Sequence, residues 1–247
     1  IVTPRTVVVG GGDPWLNLGA TGVFKARSPR AKVGDNWGYL RGLHPETGVE
    51  KWTVYSGLGT SSMTPLYHKG NLYWVNGQGR VWAINADTGE PVGPFMDGRG
   101  LPKRSLGGFN AISSANIYHQ AGGDLMVVGL TMPNRMVAIN LSSGAVEWRQ
   151  DLASVGTTYL TGFATVSPAV SQRNNLVVST VLINADTSTD TVTQLAFALN
   201  ARTGAIAWAQ PIGSGALPKE GFVGPTPLLD DEHDYLNNPI GSNVVAL

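Results

Sequence analysis

The side chains best suited to chemistry in this chain are few and scattered. Asp35 and Asn36 stand beside Trp37, and a carboxylate and an amide next to an indole could face a cofactor. The same pair also suits an Asx turn that starts a strand. Gly10-Gly11-Gly12 follows a strand-like run, as phosphate-binding loops do. Pro14 and the residues after it carry no helical pattern, so the helix N-terminus that completes such an anion site is absent. Asp186 and Asp190 lie in a Ser/Thr-rich stretch that suggests calcium. Without the turn glycine and terminal glutamate of an EF-hand loop, that stretch reads as a solvated hairpin tip. Asp230, Asp231, Glu232, His233 and Asp234 form the densest ionisable cluster, either a metal or partner site or a solvated loop. His44, His68, His119 and His233 show no i, i+2 or i, i+4 ligand spacing. No Gly-x-Ser-x-Gly elbow is present for serine hydrolase chemistry. The sequence therefore names no catalytic residue and no metal site.

Composition narrows the classes. The chain has 247 residues, formal net charge zero, 42% hydrophobic and only 14% charged residues, with 32 glycines. That length suits one large all-β domain or two small ones, and the apolar content suffices for a core. Without a basic run there is no electrostatic footprint for nucleic acid or an anionic membrane. No apolar stretch is long enough to predict a membrane span. Cysteine is absent, which excludes disulfides, thiolate metal sites, cysteine nucleophiles and covalent c-type haem within this segment. The first residues, IVTPRTVVVG, begin directly in a strand-like run without a signal peptide or initiating Met, so a mature or trimmed piece of a longer protein is expected.

Strands must position whatever chemistry exists, because no helical periodicity persists anywhere. Four segments are related: RGLHPETGVEKW (41–52), VWAINADTGEPVG (81–93), VAINLSSGAVEW (137–148) and LNARTGAIAW (199–208). Their turn glycines are Gly48, Gly89, Gly144 and Gly204. Five residues before each is an apolar residue, and a small one (Gly42, Ala83, Ala138, Ala198) precedes that. Four residues after the glycine comes Trp52, Trp148 or Trp208, while the second copy has Gly93 there and is degenerate. Each copy predicts a β-hairpin, closed by a glycine with positive φ and followed by an alternating strand. An aromatic repeated once per unit suits packing between neighbouring sheets.

Two further strand candidates precede each hairpin. One carries Thr64-Pro65, Ser167-Pro168 or Thr226-Pro227, with Ile112–Tyr118 in that place in the third copy. The other is Asn71–Val75, Leu125–Leu130 or Leu176–Val181. Four strands per unit of ~40–50 residues predict radial blades of a β-propeller. The boundaries expected are one propeller segment over 1–247: a partial blade at 1–54, blades at about 55–95, 96–150 and 151–210, and a partial blade at 211–247. Met96–Asn110 and Ala185–Thr193 are read as loops that hold the excess length.

The unit carried by Ala198-Leu199, Thr203-Gly204 and Trp208, and by its three relatives, resembles the quinoprotein, or PQQ-like, propeller repeat. The resemblance implies an all-β ring of about seven to eight four-stranded blades, with Trp52, Trp148 and Trp208 docking each blade on the next. It also implies a periplasmic or extracellular location. The superfamily includes dehydrogenases that bind pyrroloquinoline quinone (PQQ) with calcium or a lanthanide, and cofactor-free outer-membrane assembly lipoproteins that bind proteins.

VVVGGGDPW (7–15), GDNWGYL (34–40) and TGVEKW (47–52) resemble the dehydrogenase series. On that resemblance the cofactor-facing residues are Asp13, Trp15, Asp35 and Asn36, with Asp13 a shifted metal ligand. The series departs from its pattern where chemistry begins. Gly11 stands where that branch has an Asn metal ligand, and Thr53–Pro65 contains no His, Asp or Trp. The expectation is thus a non-catalytic ring that binds a protein or envelope component through loops such as 16–33 and 230–238. The alternative is a PQQ-dependent dehydrogenase oxidising an alcohol or sugar and passing electrons to a cytochrome or quinone.

Overall fold

The structure is a computed structural model that describes residues 1–11, 16–18, 24–26, 38–56, 64–107, 113–130, 134–155, 167–186, 188–189, 191–216, 228–230, 235–240 and 243–246. Its described residues are almost entirely β-strand and turn, with one 3-10 turn at Leu152–Val155. No helix among them is long and apolar enough to cross a membrane. The chain forms two compact units, one ending at Ser114 and one running on from Ala115.

In the first unit, β1 (Val7–Gly11), β4 (Tyr39–Leu43) and β5 (Glu50–Tyr55) make an antiparallel sheet in the order β1-β4-β5. A short hairpin of β2 (Leu16–Leu18) and β3 (Phe24–Ala26) lies between β1 and β4 in sequence. The second blade is β6 (Leu66–His68), β7 (Asn71–Val75) and β8 (Val81–Asn85). In the second unit, β9 (Asn116–Tyr118), β10 (Leu125–Leu130), β11 (Arg135–Asn140) and β12 (Val146–Asp151) form a four-stranded blade. The next is β13 (Ala169–Ser171), β14 (Leu176–Asp186), β15 (Thr191–Asn200) and β16 (Ile206–Ala216). A last sheet holds β17 (Leu228–Asp230), β18 (Tyr235–Ile240) and β19 (Asn243–Ala246). Strands that follow one another pair as antiparallel neighbours, the meander of a propeller blade.

The second blade departs from the expectation of four regular strands. Its outer strand is interrupted. Pro91 bridges Ile84, and the Val92 N–H donates to the Ala83 carbonyl at 3.0 Å. The chain then leaves, and pairing resumes where Ser105 bridges Arg80 and Val81 N–H donates to the Arg104 carbonyl at 3.1 Å. The residues between form a small hairpin rather than a featureless connection: Met96 bridges Pro102, and Lys103 N–H donates to the Phe95 carbonyl at 2.8 Å. This insertion explains why Gly93 stands where the other copies have tryptophan, because the strand breaks at that position.

Ala185–Thr193 also differs from a plain loop. β14 and β15 run past the usual blade length, pair as far as Asp186↔Thr191, and carry β16 with them to Ala216. Polar strand residues lengthen the ladder there, so the added sequence is largely sheet.

The core of the second unit lies between its two four-stranded blades. Leu125, Val127, Met136 and Ala138 of one blade meet Val177, Leu195, Phe197 and Leu199 of the next, all at most 3% exposed. These residues line one face of each central strand, and the alternate residues Met126, Val128, Val137, Ile139, Ala196 and Ala198 are buried as well, so the strands read as continuous apolar runs instead of a clean alternation.

Candidate functional site

Each blade has one uniform end and one variable end. The uniform end is the turn around the repeated glycine. Gly48, Gly89, Gly144 and Gly204 have φ of 69°, 74°, 72° and 73°, the left-handed region in which a side chain is strained. Each glycine N–H donates to the carbonyl four residues earlier, at His44, Asn85, Asn140 and Asn200, over 2.8–2.9 Å.

The side chain at that fourth position is a cap that the sequence reasoning missed. Asn85 Oδ1 accepts from Asp87 and Thr88 N–H, Asn140 Oδ1 from Ser142 and Ser143, and Asn200 Oδ1 from Arg202 and Thr203, over 2.9–3.1 Å. In the first copy His44 Nδ1 takes the role, accepting from Glu46 N–H at 3.3 Å. Asn recurring just before the turn was the available signal.

The tryptophans join blade to blade. Trp52 Nε1 donates to the Ala86 carbonyl at 3.1 Å, and Trp148 Nε1 to the Ala201 carbonyl at 2.9 Å. Both acceptors lie three residues before the next blade's turn glycine. A Cβ on Gly89 would fall 2.8 Å from the Trp52 ring, and one on Gly204 2.6 Å from the Trp148 ring. The repeated small residue also gains a reason: Gly42 pairs directly with Trp52, Ala138 with Trp148 and Ala198 with Trp208. A larger neighbour would lift the indole from its own sheet. Trp208 is half-buried and packs against Val178, Ala196 and Ala198 of its own blade.

Further polar contacts tie the inner strands. In the second unit the Gln172 amide donates to the Ile117 carbonyl at 3.0 Å and accepts from His119 N–H at 3.1 Å, as a strand residue would. Tyr118, 1% exposed, donates its hydroxyl proton to Asn175 Oδ1 and accepts from Arg202 Nε at 3.0 Å. In the first unit Thr6 Oγ1 donates to Asp87 Oδ1 at 3.0 Å, and Lys51 Nζ donates to Thr6 Oγ1 at 2.8 Å.

Asp13, Trp15, Asp35 and Asn36 lie outside the described residues, as do Gly12, Asp190, Asp231, Glu232, His233 and Asp234. The strands that flank the first group are described. Gly11 pairs with Tyr39, so the segment between them leaves and returns at one end of the first blade. Gly10 and Gly11 are strand residues of β1. A Cβ on Gly11 would fall 2.5 Å from the Tyr39 ring, and Arg41 lies over that same ring at 4.5 Å. The position where the dehydrogenase series carries its Asn ligand therefore has no room for a side chain with Tyr39 in this place. Gly11 itself offers no ligand atom, and among the described residues no group of three or more His, Cys, Asp or Glu could hold a metal ion.

Two of the histidines make local contacts. His44 caps a turn, and His119 Nδ1 lies 3.2 Å from Asp124 Oδ1. Asp186 and Asp230 end β14 and β17, and Ser188 and Thr189 at the first tip are exposed. At the variable end of the second blade Asn76 is a hub, 1% exposed. Its Nδ2 donates to the Ser56 carbonyl at 2.6 Å, and its Oδ1 accepts from Gln78 and Arg80 N–H at 3.1 and 3.0 Å.

Three likenesses accompany this geometry. Tetrathionate hydrolase from Acidithiobacillus ferrooxidans is 26% identical over 255 residues, covering 100% of this chain and 46% of that protein. The chain thus spans about half the length of that relative. The β-propeller domain of Cps50 (Swd1) from Myceliophteria thermophila superposes with a TM-score of 0.51 at 8% identity, covering 83% of this chain and 56% of that one. It shares the fold. BamB from Moraxella catarrhalis superposes with a TM-score of 0.39 at 15% identity, covering 84% and 78%. The family model described as outer membrane protein assembly factor BamB matches residues 103–247, more than half of the sequence. With propeller blades, turn glycines and inter-blade tryptophans in place, this chain belongs to the BamB family of PQQ-like β-propellers.

Proposed function

We propose that this chain is a non-catalytic propeller of the cell envelope or the extracellular space, which presents the variable ends of its blades to another protein. The observation that carries the reading is the Gly11–Tyr39 crossing. It fills with an aromatic ring the place where a quinone-dependent relative would need a metal ligand. Membership of a family described as an assembly factor supports the same reading. So does the division of each blade into a uniform end, locked by indole and amide bonds, and an end that varies in length and sequence, since rigid frames carry binding loops. The same fold hosts enzymes, so the site must decide.

A second reading has one specific observation in its favour. The likeness to tetrathionate hydrolase runs over the whole chain, which supports hydrolysis of a sulfur oxyanion. The test uses the complete protein. Tetrathionate consumption and calcium-dependent PQQ binding are measured on a folded sample, alongside photo-crosslinking in native envelope extract from sites at the variable ends. A specific crosslinked protein with neither activity is expected. Tetrathionate turnover at an enzymic rate would replace the scaffold reading with the hydrolase, and tight PQQ binding would replace it with the dehydrogenase.

A further inference from the structure

The hairpin inserted in the second blade gathers cations in a chain of which only 14% is charged. Arg99, Lys103 and Arg104 fall within six residues, and Arg80 lies directly across the resumed strand from Ser105. All four are exposed. Arg80, Lys103 and Arg104 form no ion pair among the described residues, and Arg99 reaches only Asp97, at 3.6 Å. Leu101 stands among these cations with 52% of its surface exposed.

The hairpin is built to hold its shape. Phe95, Met96 and Leu106 at its base are 2–4% exposed, Pro102 is buried, and Phe95 meets the Tyr73 ring edge-on at 5.6 Å. At the tip, Asp97 Oδ1 accepts from both Arg99 and Leu101 N–H at 2.8 Å. The one carboxylate of the hairpin is thus engaged by its turn and by Arg99, and Arg80, Lys103 and Arg104 are left without an ion pair among the described residues. A solvated loop needs neither a buried base nor a capped tip. A preorganised one lowers the ordering cost of binding.

We infer that the 95–106 hairpin is a docking element for an acidic segment of a partner protein, whose carboxylates meet Arg80, Arg99, Lys103 and Arg104 while an apolar side chain covers Leu101. This rests on the scaffold reading and names the partner's chemistry. The cationic area is small and has an apolar centre, and the chain carries no net charge. A nucleic acid or an anionic lipid surface would instead call for a broad basic field.

The probe is a short fluorescein-labelled peptide of Asp and Glu around two leucines, followed by anisotropy against the complete protein at low and high salt. Controls are the same peptide with Asn and Gln, a single-stranded oligothymidylate, and vesicles of three parts phosphatidylcholine to one part phosphatidylglycerol. The acidic peptide is expected to bind best, with salt-dependent affinity. R99E/K103E/R104E should weaken it by about tenfold or more, and L101S should weaken it without changing the salt dependence. Unchanged binding by the charge-reversed variant, with its thermal midpoint intact, would overturn the proposal. Preference for the oligonucleotide or the vesicles would overturn it too. Should charge reversal unfold the protein, R99Q/K103Q must show the same weakening in smaller measure, and unchanged binding by it has the same consequence. The crosslinking above separates the two readings: a partner still captured by the charge-reversed variant sinks the hairpin and leaves the scaffold standing.

Discussion

The Trp148 indole lies flat against Gly204, so close that a single methyl group on that glycine would come within 2.6 Å of the ring. The indole N–H completes the contact on the Ala201 carbonyl. One blade's aromatic and the next blade's turn thus share one small volume, and several consequences can be measured.

Gly204→Ala places a side chain at φ +73° and into the Trp148 ring. A loss of about 3 kcal/mol or more is expected in urea unfolding. Gly48→Ala meets the same strain at φ +69° but has nothing within 4 Å. Its cost should be only about 1–2 kcal/mol. Equal losses for the two variants would mean that the indole contact contributes nothing.

Trp148→Phe keeps an aromatic but leaves the fully buried Ala201 carbonyl without its donor, a cost of about 1–3 kcal/mol beyond the lost volume. Trp82→Phe differs. Trp82 stacks on Trp74 at 5.7 Å, and neither indole N–H has a partner among the described residues. Removing an unsatisfied buried donor relieves its desolvation, so W82F should cost at least about 1 kcal/mol less than W148F. Denaturant midpoints of the two variants decide this directly.

The turn caps predict a contrast between two asparagines. Asn200→Ala and Asn140→Ala each lose two accepted N–H bonds, about 1–2 kcal/mol. Asn200→Asp keeps the acceptor and should recover most of that loss. Asn140→Asp should not, because Asn140 Nδ2 donates to the Gly122 carbonyl at 3.1 Å and to Glu147 at 3.0 Å. A carboxylate there would face both an acceptor and a like charge.

Acid should loosen the inserted hairpin before the blades. The backbone N–H bonds from Leu101 and Arg99 hold the Asp97 carboxyl below its ordinary value near 3.8. A depressed carboxyl favours the folded turn above the ordinary value, and that contribution is lost as pH falls through the folded value. Amide hydrogen exchange at Arg99 and Leu101, corrected for intrinsic rates, should therefore rise once pH drops below the usual carboxylate range. In Asp97→Asn that pH dependence should vanish.

The turn glycines, the tryptophans and the small residues of the repeat were legible because their roles are local. A positive φ demands glycine within one turn, and a strand's alternation shows over five residues. The inserted hairpin was not legible. Its glycines and proline read as a loop, and only the resumed Arg80–Ser105 pairing shows that one strand continues across it. The long β14–β16 ladder was hidden for the opposite reason: Asp186 to Thr193 is polar, and polar residues pair as readily as apolar ones on a solvated sheet.

The sequence by itself determined the repeating hairpin, the all-β class and the aromatic joint, since each depends on residues a few positions apart. Only the tertiary structure decided which partners those residues meet. Ala86 receives Trp52 from 34 residues away, and Ala201 receives Trp148 from 53. Tyr39 closes the space over Gly11 because antiparallel pairing sets the two strands in register across a long excursion. Such contacts follow from how blades and strands align, and no short-range pattern in the chain encodes that alignment.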